Sequence, residues 1–71
     1  MADKSSTSDP TYNLVSVLFH ALQGADLYEK YAGDAGGDQD LATFFREVQQ
    51  QEKQRAERAK ELLAKHLQRN T

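Results

Sequence analysis

Val48-Gln49-Gln50-Gln51-Glu52-Lys53-Gln54-Arg55-Ala56-Glu57-Arg58-Ala59-Lys60-Glu61-Leu62-Leu63 is the stretch whose reading decides the fold. The apolar residues in and before it, Leu41, Phe45, Val48, then Ala59 and Leu62, recur at spacings of three and four, the period of one helix face. A stripe drawn through them passes over Glu52 and Arg55, which places a charged pair where a core is expected. Around the stripe stand strong helix formers and spaced opposite charges, Glu57 with Lys60 and Glu61 with Lys65, which support helix on the solvated side. The pattern predicts one long helix over about 39–68.

Upstream of it, Gly33, Gly36 and Gly37 crowd together and Asp38 follows, a glycine helix stop running into an aspartate helix start. The turn is placed at 36–38. Before the turn, Leu14, Leu18, Ala21, Ala25, Tyr28 and Ala32 repeat at spacings of four and three, which predicts a first helix over about 12–35, about 36 Å long at 1.5 Å per residue. Asp9 or Thr11 is placed to cap it, and Pro10 suits a first turn. Residues 1–10 are polar and without period and read as a disordered tail, which leaves 11–71 as the helical hairpin. A connection this short makes the two helices antiparallel neighbours, and no strand pattern or solenoid repeat competes with this all-α reading.

A chain of 71 residues builds one small core, worth roughly 3–5 kcal/mol unaided. It has no cysteine, so disulfides, thiolate zinc sites, iron–sulfur clusters and cysteine nucleophiles are excluded. No apolar run approaches the roughly 20 residues that span a bilayer, and the amino-terminal residues hold no apolar signal core; the expectation is a soluble cytoplasmic protein with no membrane partner. The net charge of −2 divides into −5 over residues 1–40 and +3 over 51–71, which largely follows the helix dipoles and makes no case for nucleic acid. Ser5 to Ser8 have no base beside them, and the Gly33–Asp38 run lacks the lysine and preceding strand of a phosphate loop, so no enzyme chemistry is indicated.

Two helices alone cannot bury stripes this wide. Tyr12, Phe19, Leu27, Tyr31 and Phe44 fall off the intrahairpin seam, and Ser16, His20 and Gly24 recur at four-residue spacing on a second face of the first helix, where small residues let a partner helix approach. The expected assembly is a homodimer, two hairpins forming a four-helix bundle, with Ser16, His20, Gly24, Leu27, Tyr31 and Phe44 at the dimer interface. Pairing the layers about the turn sets Ala32 beside Leu41, Tyr28 beside Phe45, Ala25 beside Val48, Ala21 beside Glu52 and Leu18 beside Arg55. For the charged pair three readings stand open. It is an ion pair that specifies register, within or across chains. It is part of a metal site in which Glu52 joins a histidine, with His20 the nearest candidate and Glu29 or Glu47 assisting. Or it is a partly solvated layer whose long side chains bury only their stems.

The order of residues Ala25, Tyr28, Tyr31, Ala32, then Gly37, then Leu41, Ala42, Phe45, and finally Glu52, Arg55, Ala56 resembles the helical hairpins of rubrerythrin-type members of the ferritin-like superfamily, over about residues 14–63. The resemblance implies a ferritin-like four-helix bundle, and in that family Glu-x-x-His motifs with further carboxylates hold a di-iron centre. Here the motif reads Glu52-Lys53-Gln54-Arg55, and the first helix offers Phe19, His20 and Ala21 where a glutamate is expected. Arginine cannot ligate a metal at ordinary pH, so the resemblance implies a hairpin whose di-iron centre is lost, with no cofactor and no metal. The leading expectation is a non-enzymatic structural or interaction module that partners itself. A small iron-handling protein with a site shared between two chains is the alternative, and an adapter whose apolar face takes another protein's helix is a third.

Overall fold

A computed structural model describes residues 9–69, and these form two α-helices joined by a short turn: α1, Pro10–Asp34, and α2, Gln39–Arg69. The two pack against each other along their lengths as a hairpin with Cα extents of 50 × 29 × 13 Å. The thinnest extent is close to the diameter of one helix, so both broad sides of the hairpin face solvent.

Each boundary has a local cause. Asp9 is extended, with φ −95° and ψ 105°, and its carboxylate accepts the backbone N–H of Thr11 at 3.0 Å and of Tyr12 at 3.3 Å. The helix therefore starts at Pro10 rather than at Tyr12, because an aspartate cap followed by a proline satisfies the first turn two residues earlier. Asp9 and Pro10, the last two residues of the expected polar tail, thus belong to the helix start, and its first eight residues lie outside the described ones. At the other end of α1, Ala35 still donates its N–H to Tyr31 O at 3.0 Å, and Gly36 then turns the chain with φ +65°, a conformation that costs a side chain but not glycine. The Asp38 carboxylate accepts Leu41 N–H at 3.1 Å and caps α2.

The seam between the helices follows a strict three–four alternation. On α1 it runs through Thr11, Leu14, Leu18, Ala21, Ala25, Tyr28, Ala32 and Ala35; on α2 through Ala42, Phe45, Gln49, Glu52, Ala56, Ala59, Leu63 and His66, all buried or half-buried. The fully buried positions among the described residues are Ala21, Ala25, Ala32, Ala42, Ala56 and Ala59, alanines without exception. Alanine at facing positions lets two helix axes come close, and the larger seam residues between them, Leu14, Leu18, Tyr28, Phe45 and Leu63, are only half-buried. Gln49 adds one tie across the seam, its side-chain Nε2 donating to Ala25 O at 3.2 Å, which fixes the register of α2 on α1.

This arrangement corrects the expected stripe of α2. Phe45, Glu52 and Ala59 do lie on the seam, but the positions between them are Ala42, Gln49 and Ala56 instead of Leu41, Val48 and Arg55, and Leu63 replaces Leu62. The face is rotated by one residue at every second step. Leu41, Val48, Arg55 and Leu62, seven apart, line one flank of the seam. Leu41 is 42% exposed, while Val48 and Leu62 are half-buried.

Candidate interaction face and the Glu52–Arg55 pair

Glu52 occupies a seam position but is too long for an alanine gap. Gly24 stands opposite it, and a Cβ built on Gly24 would lie at ordinary contact distance, 3.4 Å from Glu52 Cγ and 3.5 Å from Tyr28 Cε2. The acid thus buries its stem against the glycine and turns its carboxylate toward the flank. There Arg55 Nη1 donates to Glu52 Oε2, an i, i+3 ion pair within one helix. The Glu52 side chain is 20% exposed and that of Arg55 52%, and no charged or polar residue is fully buried among those described. In the single chain the pair is therefore a rim feature and not a core layer. The reason is the rotation of the stripe, which carries Arg55 off the seam and onto the flank. Bonding to the Glu52 carboxylate, and then its negative charge, raise the guanidinium's affinity for its proton further above an already high value.

The same flank gathers one set of large apolar groups outside the seam. On α1 it carries Val17, Gly24, Leu27 and Tyr31, and on α2 Leu41, Phe44, Val48 and Leu62, with Val17, Leu27, Tyr31, Leu41 and Phe44 exposed. Toward the turn, aromatic rings form a chain: Tyr28 to Tyr31 at 5.8 Å between centroids, Tyr31 to Phe45 at 5.6 Å, and Phe45 to Phe44 at 5.8 Å. Geometries of this kind add modestly to simple area burial. Toward the open end lies a concavity lined by Ser16, Val17, His20, Gly24, Tyr28, Glu52 and Arg55, and next to it another lined by Leu14, Val17, Arg55, Ala59 and Leu62.

Of the expected interface residues, His20, Gly24, Leu27, Tyr31 and Phe44 stand on this one side, with Ser16 at its rim. Ser16 Oγ and His20 Nδ1 are 3.4 Å apart, and the His20 ring meets Phe19 edge-on at 5.5 Å. The two readings of His20, interface group and ligand, thus concern one small region beside Glu52. The possible assisting carboxylates Glu29 and Glu47 are exposed and project elsewhere, each about 140° around its helix from Gly24 and Glu52 respectively.

A di-iron centre does not fit these residues. Arg55 offers no lone pair where a histidine ligand is needed, the Phe19-His20-Ala21 segment offers no carboxylate, and no group of three His, Asp or Glu side chains converges among the described residues. No described helix is long and apolar enough to cross a membrane.

Sequence reasoning missed Gln49 as the residue that locks the register, because a glutamine looks like a solvated position. The alanines carried the signal: Ala21, Ala25 and Ala32 on one helix and Ala42, Ala56 and Ala59 on the other keep to a single three–four frame, and Gln49 falls in it. Compared with known proteins, the chain matches no family model, no curated protein and no solved structure.

Proposed function

We propose that the chain is a non-enzymatic interaction module that works as a homodimer. Two hairpins pair through the side bearing Gly24, Leu27, Tyr31 and Phe44 and make a four-helix bundle of ferritin-like architecture. The observation that carries this reading is the exposed row beside the seam: the fully buried seam positions are all alanine, while Val17, Leu27, Tyr31, Leu41 and Phe44 stand together on one flank in water, around Gly24. A continuous patch of that kind marks an interface, and a chain this short gains most of its missing stability by covering it. Gly24, which has no side chain, gives a partner helix room at the centre of the patch. Glu52 and Arg55 of both copies then lie at one depth, each carboxylate already satisfied by its own guanidinium, which is the condition for burying charge.

The test is light scattering on protein purified without a metal-affinity tag, with metal content measured on the same sample after incubation with ferrous iron, manganese or zinc. The expected result is twice the 8.0 kDa chain mass, no stoichiometric metal, and reversion of Tyr31→Asp to a single chain. A wild-type mass that stays at one chain up to about 100 μM would sink the dimer, since that corresponds to under about 5–6 kcal/mol of association.

One observation favours a second reading. His20 and Glu52 line the same concavity, so a dimer brings two imidazoles and two carboxylates within reach of each other, a donor set that suits a divalent transition metal. One or two metals per dimer, lost in Glu52→Ala while the mass stays dimeric, would replace the first reading with this one.

A further inference from the structure

The opposite broad side of the hairpin carries a different pattern. On α1, Tyr12, Val15, Phe19 and Leu22 recur at three–four–three spacing and are 46–60% exposed. They lie about 140° around the helix from the Val17–Gly24–Tyr31 row, so the dimer face leaves them uncovered. On α2 the corresponding flank presents Arg46, Lys53 and Lys60, seven apart and all exposed. The register set by Gln49 on Ala25 and Glu52 against Gly24 brings Lys53 level with Leu22 and Lys60 level with Val15. An apolar row and a cationic row therefore run side by side for about 10 Å, from Val15 and Lys60 to Leu22 and Lys53. Lys60 Nζ reaches Glu57 Oε2 at 3.4 Å, whereas Arg46 and Lys53 take part in no ion pair among the described residues.

We propose that this side docks an amphipathic helix from another protein, its apolar stripe on Tyr12, Val15, Phe19 and Leu22 and a row of carboxylates on its edge against Lys53 and Lys60. Charge complementarity selects this occupant. A second copy of the chain is disfavoured, because a twofold pairing through this side sets cations on cations or lays them over the apolar row. An anionic membrane is disfavoured because Asp26 and Glu29 continue the α1 row toward the turn, where headgroups would repel them. Apolar anchors at helical spacing, flanked by one sign of charge, are the elements of helix-in-groove recognition.

The experiment uses the full chain, isotope-labelled for amide NMR. The probe is a peptide of about 14 residues, long enough at 1.5 Å per residue to cover the row, with leucines on one stripe and glutamates along one edge, and a second peptide carrying lysine in place of glutamate. The expected outcome is shifts confined to residues 11–23 and 53–63, binding of the glutamate peptide at least about tenfold tighter than the lysine peptide, and weakening of that preference by salt. Lys53→Glu with Lys60→Glu, both at exposed helix positions, should reverse the preference while the circular dichroism spectrum stays helical. Equal binding of the two peptides, absence of binding, or shifts on the Leu27–Phe44 side would overturn the proposal. So would sedimentation of the peptide-free chain with vesicles of phosphatidylcholine and phosphatidylglycerol, or an oligomeric mass that Phe19→Asp reduces. The dimer reading is separable, since Tyr31→Asp breaks the dimer and leaves peptide binding intact.

Discussion

The seam between the helices and the flank beside it use opposite materials for the same purpose. The seam holds six buried alanines and gains close approach of the backbones; the flank holds Val17, Leu27, Tyr31, Leu41 and Phe44 and leaves a large part of each in water. A buried methyl-sized group is worth about 0.8 kcal/mol, whereas a fully buried Leu or Phe is worth about 1.5–3 kcal/mol. The hairpin therefore specifies its geometry with its smallest side chains and keeps its largest apolar resource outside itself. A two-helix protein built for its own stability alone would bury its leucines and aromatics fully at the seam, whereas Leu14, Leu18, Tyr28, Phe45 and Leu63 are only half-buried there. In the proposed dimer, this difference would put much of the stabilising surface between chains rather than within one.

The largest expected effect breaks the seam. Ala56 is 1% exposed between the helices, so Ala56→Leu forces the axes apart or off their register and should cost about 1–3 kcal/mol, read as a lowered melting midpoint in circular dichroism. The matching change on the flank, Leu41→Ala, removes more apolar bulk from a position 42% exposed and should change the stability of a dilute single chain by no more than about 0.5 kcal/mol. If Leu41→Ala proves as costly as Ala56→Leu at all concentrations, the contrast between seam and flank is wrong. If its cost appears only as concentration rises, the flank is covered by a second copy.

A smaller effect, with opposite signs in the two regions, is expected at Gly24. Within one hairpin a Cβ there meets Glu52 Cγ at 3.4 Å and Tyr28 Cε2 at 3.5 Å, ordinary contact distances, and alanine is favoured over glycine in a helix by about 1 kcal/mol. Gly24→Ala should thus raise the melting midpoint of a dilute sample. Across a dimer the same methyl fills the space a partner helix needs, and the dissociation constant should rise about tenfold, or about 1.4 kcal/mol. Sedimentation equilibrium beside thermal melts separates the two; a variant that is stabilised and dimerises unchanged would place the partner helix elsewhere.

Elements and turn were legible in the sequence because their causes are local. The caps at Asp9 and Asp38 and the left-handed turn at Gly36 each depend on one or two residues, and helical periodicity survives however the helix is rotated. The facing surface was not legible, because Leu41, Val48 and Leu62 outrank Ala42, Gln49 and Ala56 on any scale of hydrophobicity, yet closeness of approach is set by the smallest side chains. The position of the charged pair followed from that one-residue rotation: Glu52 stayed on the seam opposite Gly24 and Arg55 moved outward. Gathering of His20, Gly24, Leu27 and Tyr31 on one side of α1 was readable from spacing alone, since residues on a common helix face stay together whichever face turns inward, whereas Phe44, on α2, joins that side only through the packing of the hairpin.

The smallest expected effect tests the solvated back of α2, which belongs to neither region. Arg58 Nη1 donates to Glu61 Oε1 at 2.8 Å, and this hydrogen bond, then the charges of Arg58 and Lys65, hold the Glu61 carboxyl below its ordinary value. A folded-state pKa depressed in this way contributes stability that is present above the unfolded carboxyl range, near 4.3, and is lost as pH falls through the folded value. Acidification from pH 6 to pH 3 should therefore remove this contribution from the wild type, while Glu61→Gln, which never has it, should show a drop in melting midpoint smaller by about 1–3 °C, the scale of one i, i+3 pair in a domain this size. Because both groups are exposed and only Arg58 borders the flank, at the rim of the concavity lined by Leu14, Val17 and Leu62, that difference should be the same in dilute and concentrated samples. A difference that grows with concentration would mean that the back of α2, and not only the flank, meets another copy of the chain.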